Sequence, residues 1–370
     1  MKTRLLAAGS VGAIAMALAV PPLASAAGGG AGTVTQHAGP AHVFVIMMEN
    51  AGSDELLNKA NTNTAYIQHL AATYGLATNY FGVTHPSLPN YLAATSGSIW
   101  NSNSDNTAQK TLLDHRNLVD QLEAAKVSWK GYMEGLPYPG FLGDSADYTA
   151  TPHSSGNALY LLKHNPFLLY PDVYNSSERA KKIVPLTRLT EDLASNTVPQ
   201  FAWITPNICN DMHGMSGPAC PYPSTGAGPS AQQYQLGDAF LHRWIDRITE
   251  SKAWTKGSVI FVTWDEGGYS NVSPYSPVST AGCCDSPILP NPPVNPVDVS
   301  GGDLTTGQVF GGGRVPMIVI TAGSHRHLID ATPASHYSLL RTVEAMFHLD
   351  YLGQAGDSNQ VHALTALVGG

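Results

Sequence analysis

Five short apolar runs, rich in β-branched and aromatic residues, constrain the fold more than anything else in the chain: His42–Met48, Val127–Met133, Gln200–Thr205, Ser258–Trp264 and Val315–Thr321. Between them lie helical patterns, including Thr111–Ala125, Ala231–Ser251 and Ser335–Phe347. In the last of these, Leu339, Leu340, Val343, Met346 and Phe347 recur at helical spacing and share one face. Strands alternating with helices predict an α/β fold, with a mostly parallel central sheet flanked by helices on both faces. Such a sheet places its ligand crevice beyond the carboxyl ends of its strands. Glu49 and Asn50 directly follow the first run, Asn207, Asp211 and His213 the third, and Asp265 and Glu266 the fourth. At one strand end such residues read as turn formers. At three equivalent ends they converge.

The ends of the chain and its composition limit the setting. Lys2 and Arg4 precede an apolar run from Leu5 to Val20, and Ala24-Ser25-Ala26 supplies a small-residue cleavage site. This pattern predicts a signal peptide over residues 1–26, a Gly-rich leader over 27–40 and a secreted mature protein. The apolar run is short for a bilayer span, so no stable membrane anchor is expected. Residues 41–370 are expected to form one domain, with a long Ser-, Pro- and Gly-rich loop insertion at about 269–313. Only 12% of residues are charged and the formal net charge is -8, which argues against nucleic acid as a partner. Export makes disulfides plausible. Cys209, Cys220, Cys283 and Cys284 allow three pairings, and the sequence does not choose among them.

Chemistry-bearing residues cluster in short motifs. Thr84-His85-Pro86-Ser87-Leu88-Pro89-Asn90-Tyr91 puts a hydroxyl at the start of a helix, with Ser87 as a candidate N-cap and Pro89 in the first turn. The N–H groups and dipole of that helix end favour phosphate and an alkoxide. Glu49, Asn50, Asp265 and Glu266 offer hard oxygen donors that suit a divalent cation such as Mg, Mn, Ca or Zn. His164, His213 and His336 lie in three further polar segments, whereas His42, His69, His325, His327 and His348 are expected bystanders among the 14 histidines.

Taken in order, Met48-Glu49-Asn50, the Thr84–Tyr91 motif, Lys163-His164-Asn165-Pro166, Pro206-Asn207 with Asn210-Asp211-Met212-His213, Thr263-Trp264-Asp265-Glu266 and Ser335-His336-Tyr337-Ser338-Leu339-Leu340 resemble one family. It is the bacterial phosphoesterase family of secreted acid phosphatases and phospholipases C, within the alkaline-phosphatase-like superfamily. The resemblance runs from about residue 41 to 352. It implies Ser87 as nucleophile, Asn90 as the amide that holds a phosphoryl oxygen, and His164, His213 and His336 as pocket histidines with Asp211 beside them. It also implies Glu49, Asn50, Asp265 and Glu266 as ligands of one divalent metal cation that also binds the Ser87 oxygen. The expected function is a secreted acid phosphatase that hydrolyses phosphate monoesters through a phosphoserine, with His164 or His213 protonating the leaving alkoxide. No obvious lipid-binding module follows, which favours this reading. The alternatives are a phospholipase C-type phosphodiesterase acting on a phospholipid headgroup, or a non-catalytic metal- or ligand-binding protein.

Overall fold

The computed structural model describes residues 39–102, 104–108, 114–146, 158–221, 229–267, 280–288, 309–323 and 326–369. The expected signal peptide, nearly all of the leader, His325 and most of the 269–313 loop lie outside them. All five apolar runs are strands of one eight-stranded sheet: β1 (Val43–Met48), β3 (Trp129–Met133), β5 (Phe201–Thr205), β6 (Val259–Trp264) and β7 (Met317–Thr321). Three strands without a sequence signature complete it: β2 (Gly75–Ala77), β4 (Ile183–Pro185) and β8 (Leu328–Asp330). The order is β8-β2-β7-β6-β1-β5-β3-β4. Only β7 runs against its neighbours, pairing antiparallel with β6 and β2, while every other pairing is parallel.

Every residue of β1, β5 and β6 is buried, so both faces of the sheet centre are covered. This is why these strands read as continuous apolar runs rather than alternating ones. The covering helices are α1 (Ala65–Thr73), α2 (Ser87–Ser96), α3 (Leu118–Ala124), α4 (Thr187–Ser195), α5 (Ala231–Thr249) and α6 (His336–Met346). α1 packs on α5, and α2 packs on α6. The helix expected at Thr111–Ala125 starts later. Asn117 caps α3 by accepting from Val119 N, and its own N–H bonds the Asp120 carboxylate. Ser230 caps α5 through a reciprocal bond with Gln233, placing that start where the periodicity put it.

Because β6, β1 and β5 are adjacent and parallel, their carboxyl ends lie side by side. Met48 pairs with Trp264, so the residues that follow both strands emerge level with one another. The backbone continues this alignment: Asp265 N donates to Met48 O at 2.9 Å, and Glu49 N donates to Asp211 O at 2.9 Å. The cysteines pair as Cys209–Cys220 and Cys283–Cys284, and the first bond closes the loop that carries His213. Among the described residues no helix is long and apolar enough to cross a membrane.

Candidate active site

Ser87 is the first residue of α2, and Pro86, not Ser87, occupies the N-cap position. The serine hydroxyl therefore makes no cap bond. It donates across the crevice to Glu49 Oε2 at 2.9 Å. Tyr91, one turn further along α2, donates to the other oxygen of the same carboxylate at 2.5 Å. One helix thus holds both oxygens of the carboxylate that ends β1.

Asn90 lies just beyond, but its amide turns back to the loop that leads into α2. Its Oδ1 accepts from Val83 N at 2.8 Å and Thr84 N at 3.2 Å, and its Nδ2 donates to Thr84 O at 2.7 Å and Pro86 O at 3.1 Å. With both ends of the amide committed, Asn90 fixes the approach to Ser87 and offers no spare donor to a phosphoryl oxygen. Gly312 packs against the same loop; a Cβ there would lie 2.6 Å from Thr84 O.

Asn50 follows Glu49 in the left-handed region, at φ 39°. Its N–H reaches Asp265 Oδ1 at 3.2 Å, and its Nδ2 donates to Glu266 Oε1 at 2.7 Å. The other Glu266 oxygen sits 2.6 Å from His85 Nδ1. Glu266, expected as a metal ligand, has partners on both oxygens and sets the orientation of the Asn50 amide. The consequence is two buried oxygens without hydrogen-bond partners, Asn50 Oδ1 and Asp265 Oδ2. Ser87 is close enough to Asp265 to favour its charged form, yet its single proton goes to Glu49. A buried oxygen left in this state costs about 1–3 kcal/mol or more.

His164 and His213 close the other side of Glu49. His164 Nε2 is 3.2 Å from Glu49 Oε1, its Nδ1 is 3.5 Å from Asp211 Oδ2, and its ring stacks on Tyr91 at 5.7 Å between centroids. His213 N donates to Asp211 Oδ1 at 2.7 Å, and its Nδ1 is 2.8 Å from Gly214 O. A carbonyl can only accept, so Nδ1 carries the proton and Nε2 presents a lone pair. Lys163 Nζ stands 3.4 Å from that nitrogen and 2.8 Å from Asp105 Oδ2. Ligand atoms of Glu49, His164 and His213 all lie within 4.8 Å of one another.

His336, also expected in the pocket, sits beneath it. Its Nε2 is 2.5 Å from Asp265 O, so it donates there, and its Nδ1 accepts from Tyr80 OH at 3.0 Å. Burial lowers its pKa to about 4, which keeps the ring neutral and fixes this tautomer. With both nitrogens engaged, His336 braces the backbone of Asp265 and does not face a ligand. Of the expected bystanders, His69, His327 and His348 are exposed and His42 Nδ1 bonds Pro199 O.

The electrostatics of the cleft follow from its burial. Burial, then repulsion from Asp265 and Asp211, pushes the Glu49 carboxyl well above its usual range. Burial and the neighbouring Glu266 do the same to Asp265, while Asp211 is raised by burial with Asp265 adding to it. Desolvation, with Lys163 nearby, lowers His213 to about 3 and His164 well below its usual value. Clustered buried carboxylates beside unpartnered oxygens and neutral imidazoles suit a divalent cation, which would favour the ionised carboxylates and keep the imidazoles neutral. Two donor sets sharing Glu49 fit one: oxygens of Asn50, Asp265 and Ser87, or the imidazoles of His164 and His213.

His85, Tyr91, Asp105 and Lys163 received no role from sequence, although three of them adjoin or lie within quoted motifs. The signal for Lys163 was its place next to His164; Asp105 carries none, since it reaches the site from an irregular segment.

Residues 57–350 match the Phosphoesterase family, and the chain belongs to that family. An acid phosphatase of Aspergillus fumigatus is 31% identical over 225 residues, covering 61% of this chain and 44% of that protein. A hemolytic phospholipase C of Pseudomonas aeruginosa is 25% identical over 313 residues, covering 76% of this chain and 38% of that protein. The chain thus spans less than half the length of these relatives. Among solved structures, one from Bacteroides thetaiotaomicron, described with the metabolism of multiple glycosaminoglycans, is 12% identical with a TM-score of 0.51, covering 89% of this chain and 82% of that one. A protein in the alkaline phosphatase superfamily from Vibrio parahaemolyticus is 12% identical with a TM-score of 0.47, covering 90% and 69%.

Proposed function

We propose that this chain is a secreted, metal-dependent phosphoesterase that hydrolyses phosphate monoesters through a phosphoserine at Ser87. The observation that carries the reading is the contact of Ser87 Oγ with Glu49 Oε2 at 2.9 Å, beside the unpartnered buried oxygens of Asn50 and Asp265. Asn50, Asp265, Glu49 and Ser87 would hold the cation, with Glu266 orienting Asn50. Bound there, a divalent cation supplies Lewis-acid stabilisation of a serine alkoxide and screens it from an anionic phosphate.

The protein's own groups account for the remaining steps. Ser87 Oγ attacks phosphorus in line as its proton passes towards Glu49; the Oγ–P bond forms and the P–O bond to the leaving group breaks, the electron pair going with the leaving oxygen. The leaving oxygen takes its proton from water; His213 Nε2, which presents a lone pair beside Lys163, accepts a proton from the water that attacks next, and a bound phosphate adds the negative charge that raises its basicity. Water then attacks the phosphoserine from the vacated side and restores Ser87. Lys163 and the first N–H groups of α2 face the developing charge. Asn90 and His336 act through position, the one on the loop before Ser87, the other on Asp265.

Turnover of p-nitrophenyl phosphate by the purified protein and its Ser87→Ala variant tests this. The substitution is expected to lower kcat by about three orders of magnitude or more, roughly 4 kcal/mol of barrier, with the fold intact; near wild-type turnover would end the assignment. A phosphodiesterase reading has one specific support, the match of 76% of this chain to a phospholipase C. Faster hydrolysis of p-nitrophenylphosphorylcholine than of p-nitrophenyl phosphate would favour it.

A further inference from the structure

Asp105 places a carboxylate at the one helix end that the proposed chemistry needs for phosphate. Leu88 N, in the first turn of α2 and next to Ser87, donates to Asp105 Oδ1 at 3.1 Å. Lys163 Nζ donates to Asp105 Oδ2 at 2.8 Å and stands 3.4 Å from His213 Nε2. The first N–H groups of a helix have no partner within the helix, and together with an ammonium group they form a seat for a tetrahedral anion as readily as for a carboxylate. Asp105 keeps 34% of its side-chain surface exposed, whereas Lys163 keeps 15%. The carboxylate can therefore swing out to water and be solvated there, while the cation and the helix end stay where they are. The pair is charged as it stands: burial opposes ionisation of Asp105, but the Lys163 charge and hydrogen bond outweigh it and lower its pKa.

We propose that Asp105 is an internal competitor for the phosphate seat: it occupies Leu88 N–H and Lys163 Nζ in the substrate-free protein and yields them to the phosphoryl group of substrate or product. The inference rests on the phosphoesterase reading and deepens it. Lys163 is the residue that receives phosphate, and Asp105 sets how weakly inorganic phosphate is retained after hydrolysis. A merely structural Asp105, capping α2 and anchoring Lys163, makes the opposite prediction, because its loss would disorganise the seat.

The test is calorimetric binding of inorganic phosphate to the metal-loaded protein and to Asp105→Asn and Lys163→Gln, with phosphate inhibition of p-nitrophenyl phosphate hydrolysis measured alongside. Asparagine keeps an acceptor for Leu88 N–H and removes both the charge and the acceptor that holds Lys163 Nζ. Asp105→Asn should bind phosphate about tenfold more tightly, the scale of one like charge removed from a partly buried site. Lys163→Gln should bind it at least about tenfold more weakly for the same reason. Should Asp105→Asn fail to fold, Asp105→Ser, which also removes the charge, carries the same expectation. Unchanged or weaker phosphate binding in the Asp105 variant, or wild-type binding in Lys163→Gln, overturns the inference. A wild-type protein that neither binds phosphate nor turns over the ester overturns the phosphoesterase reading instead.

Discussion

Replacing Asp265 by Asn should stabilise the protein without metal and destabilise it with metal, relative to the unmodified chain. Asp265 is wholly buried among Glu49, Asp211 and Glu266, and each of these contacts enters as a repulsion. At 4–6 Å and an effective dielectric of about 20, a fully ionised carboxylate pair costs about 3–4 kcal/mol. Burial and mutual repulsion raise the pKa values of Glu49, Asp211 and Asp265, so protonation relieves part of that cost and removing one charge should recover about 2 kcal/mol. Asparagine keeps Oδ1 for Asn50 N–H and puts a donor where Oδ2 had no partner. For a protein of this size about 2 kcal/mol corresponds to a melting point roughly 3 °C higher. The sign with pH follows from the raised folded-state pKa values: stability tied to these carboxylates is greatest in acid and is lost as pH rises through them. The advantage of Asp265→Asn over wild type should therefore grow as pH rises above the ordinary carboxylate range. Saturating cation reverses the order, since a ligand at 100 times its Kd adds about 2.7 kcal/mol to the chain that binds it. Differential scanning calorimetry after chelation, and again with added Mg, Mn, Ca or Zn, measures both arms. A chelated variant that melts at or below wild type throughout, or an equal gain from cation in both proteins, would refute the reasoning.

Two further changes probe residues placed around the site. His336→Leu removes the brace on Asp265 O and leaves Tyr80 OH without its acceptor, so stability should fall by about 2–3 kcal/mol, with kcat lowered more than KM altered. Because burial depresses the His336 pKa from 6.5 to about 4, its share of stability is full above the unfolded value and lost as pH falls; melting of the variant should be flatter with pH across that window, and an unchanged slope would show that the ring titrates freely. Glu266→Gln leaves the oxygens of Asn50 and Asp265 in place but weakens the orientation of the Asn50 amide, so metal affinity should drop about tenfold or more; unchanged metal retention by elemental analysis would show that Glu266 does not act on the site.

The sequence made the centre of the sheet legible because β1, β5 and β6 are buried on both faces and therefore read as unbroken Val, Ile and Phe runs. It concealed β2, β4 and β8, each only three residues long, a length that carries no periodicity. The antiparallel direction of β7 is a property of how the chain returns to the sheet, which composition does not record. In the site, the strand-end residues Glu49, Asn50 and Asp265 could be paired with Ser87 by topology alone. Which of them face a ligand and which face the protein was not available, because that depends on hydrogen bonds to partners far along the chain. Asn90, Glu266 and His336 have the residue types of ligands, yet their polar atoms are committed to loop backbone, to Asn50 and His85, and to Asp265 and Tyr80. Lys163 and Asp105 show the reverse: common surface residue types that the fold brings to the nucleophile.

Hydrolysis of a phosphate monoester made chiral at phosphorus with oxygen isotopes decides whether Ser87 forms a covalent intermediate. Two successive in-line displacements, one by Ser87 and one by water, predict net retention of configuration. Net inversion would mean that water attacks the ester directly, and the role assigned to Ser87 would be contradicted.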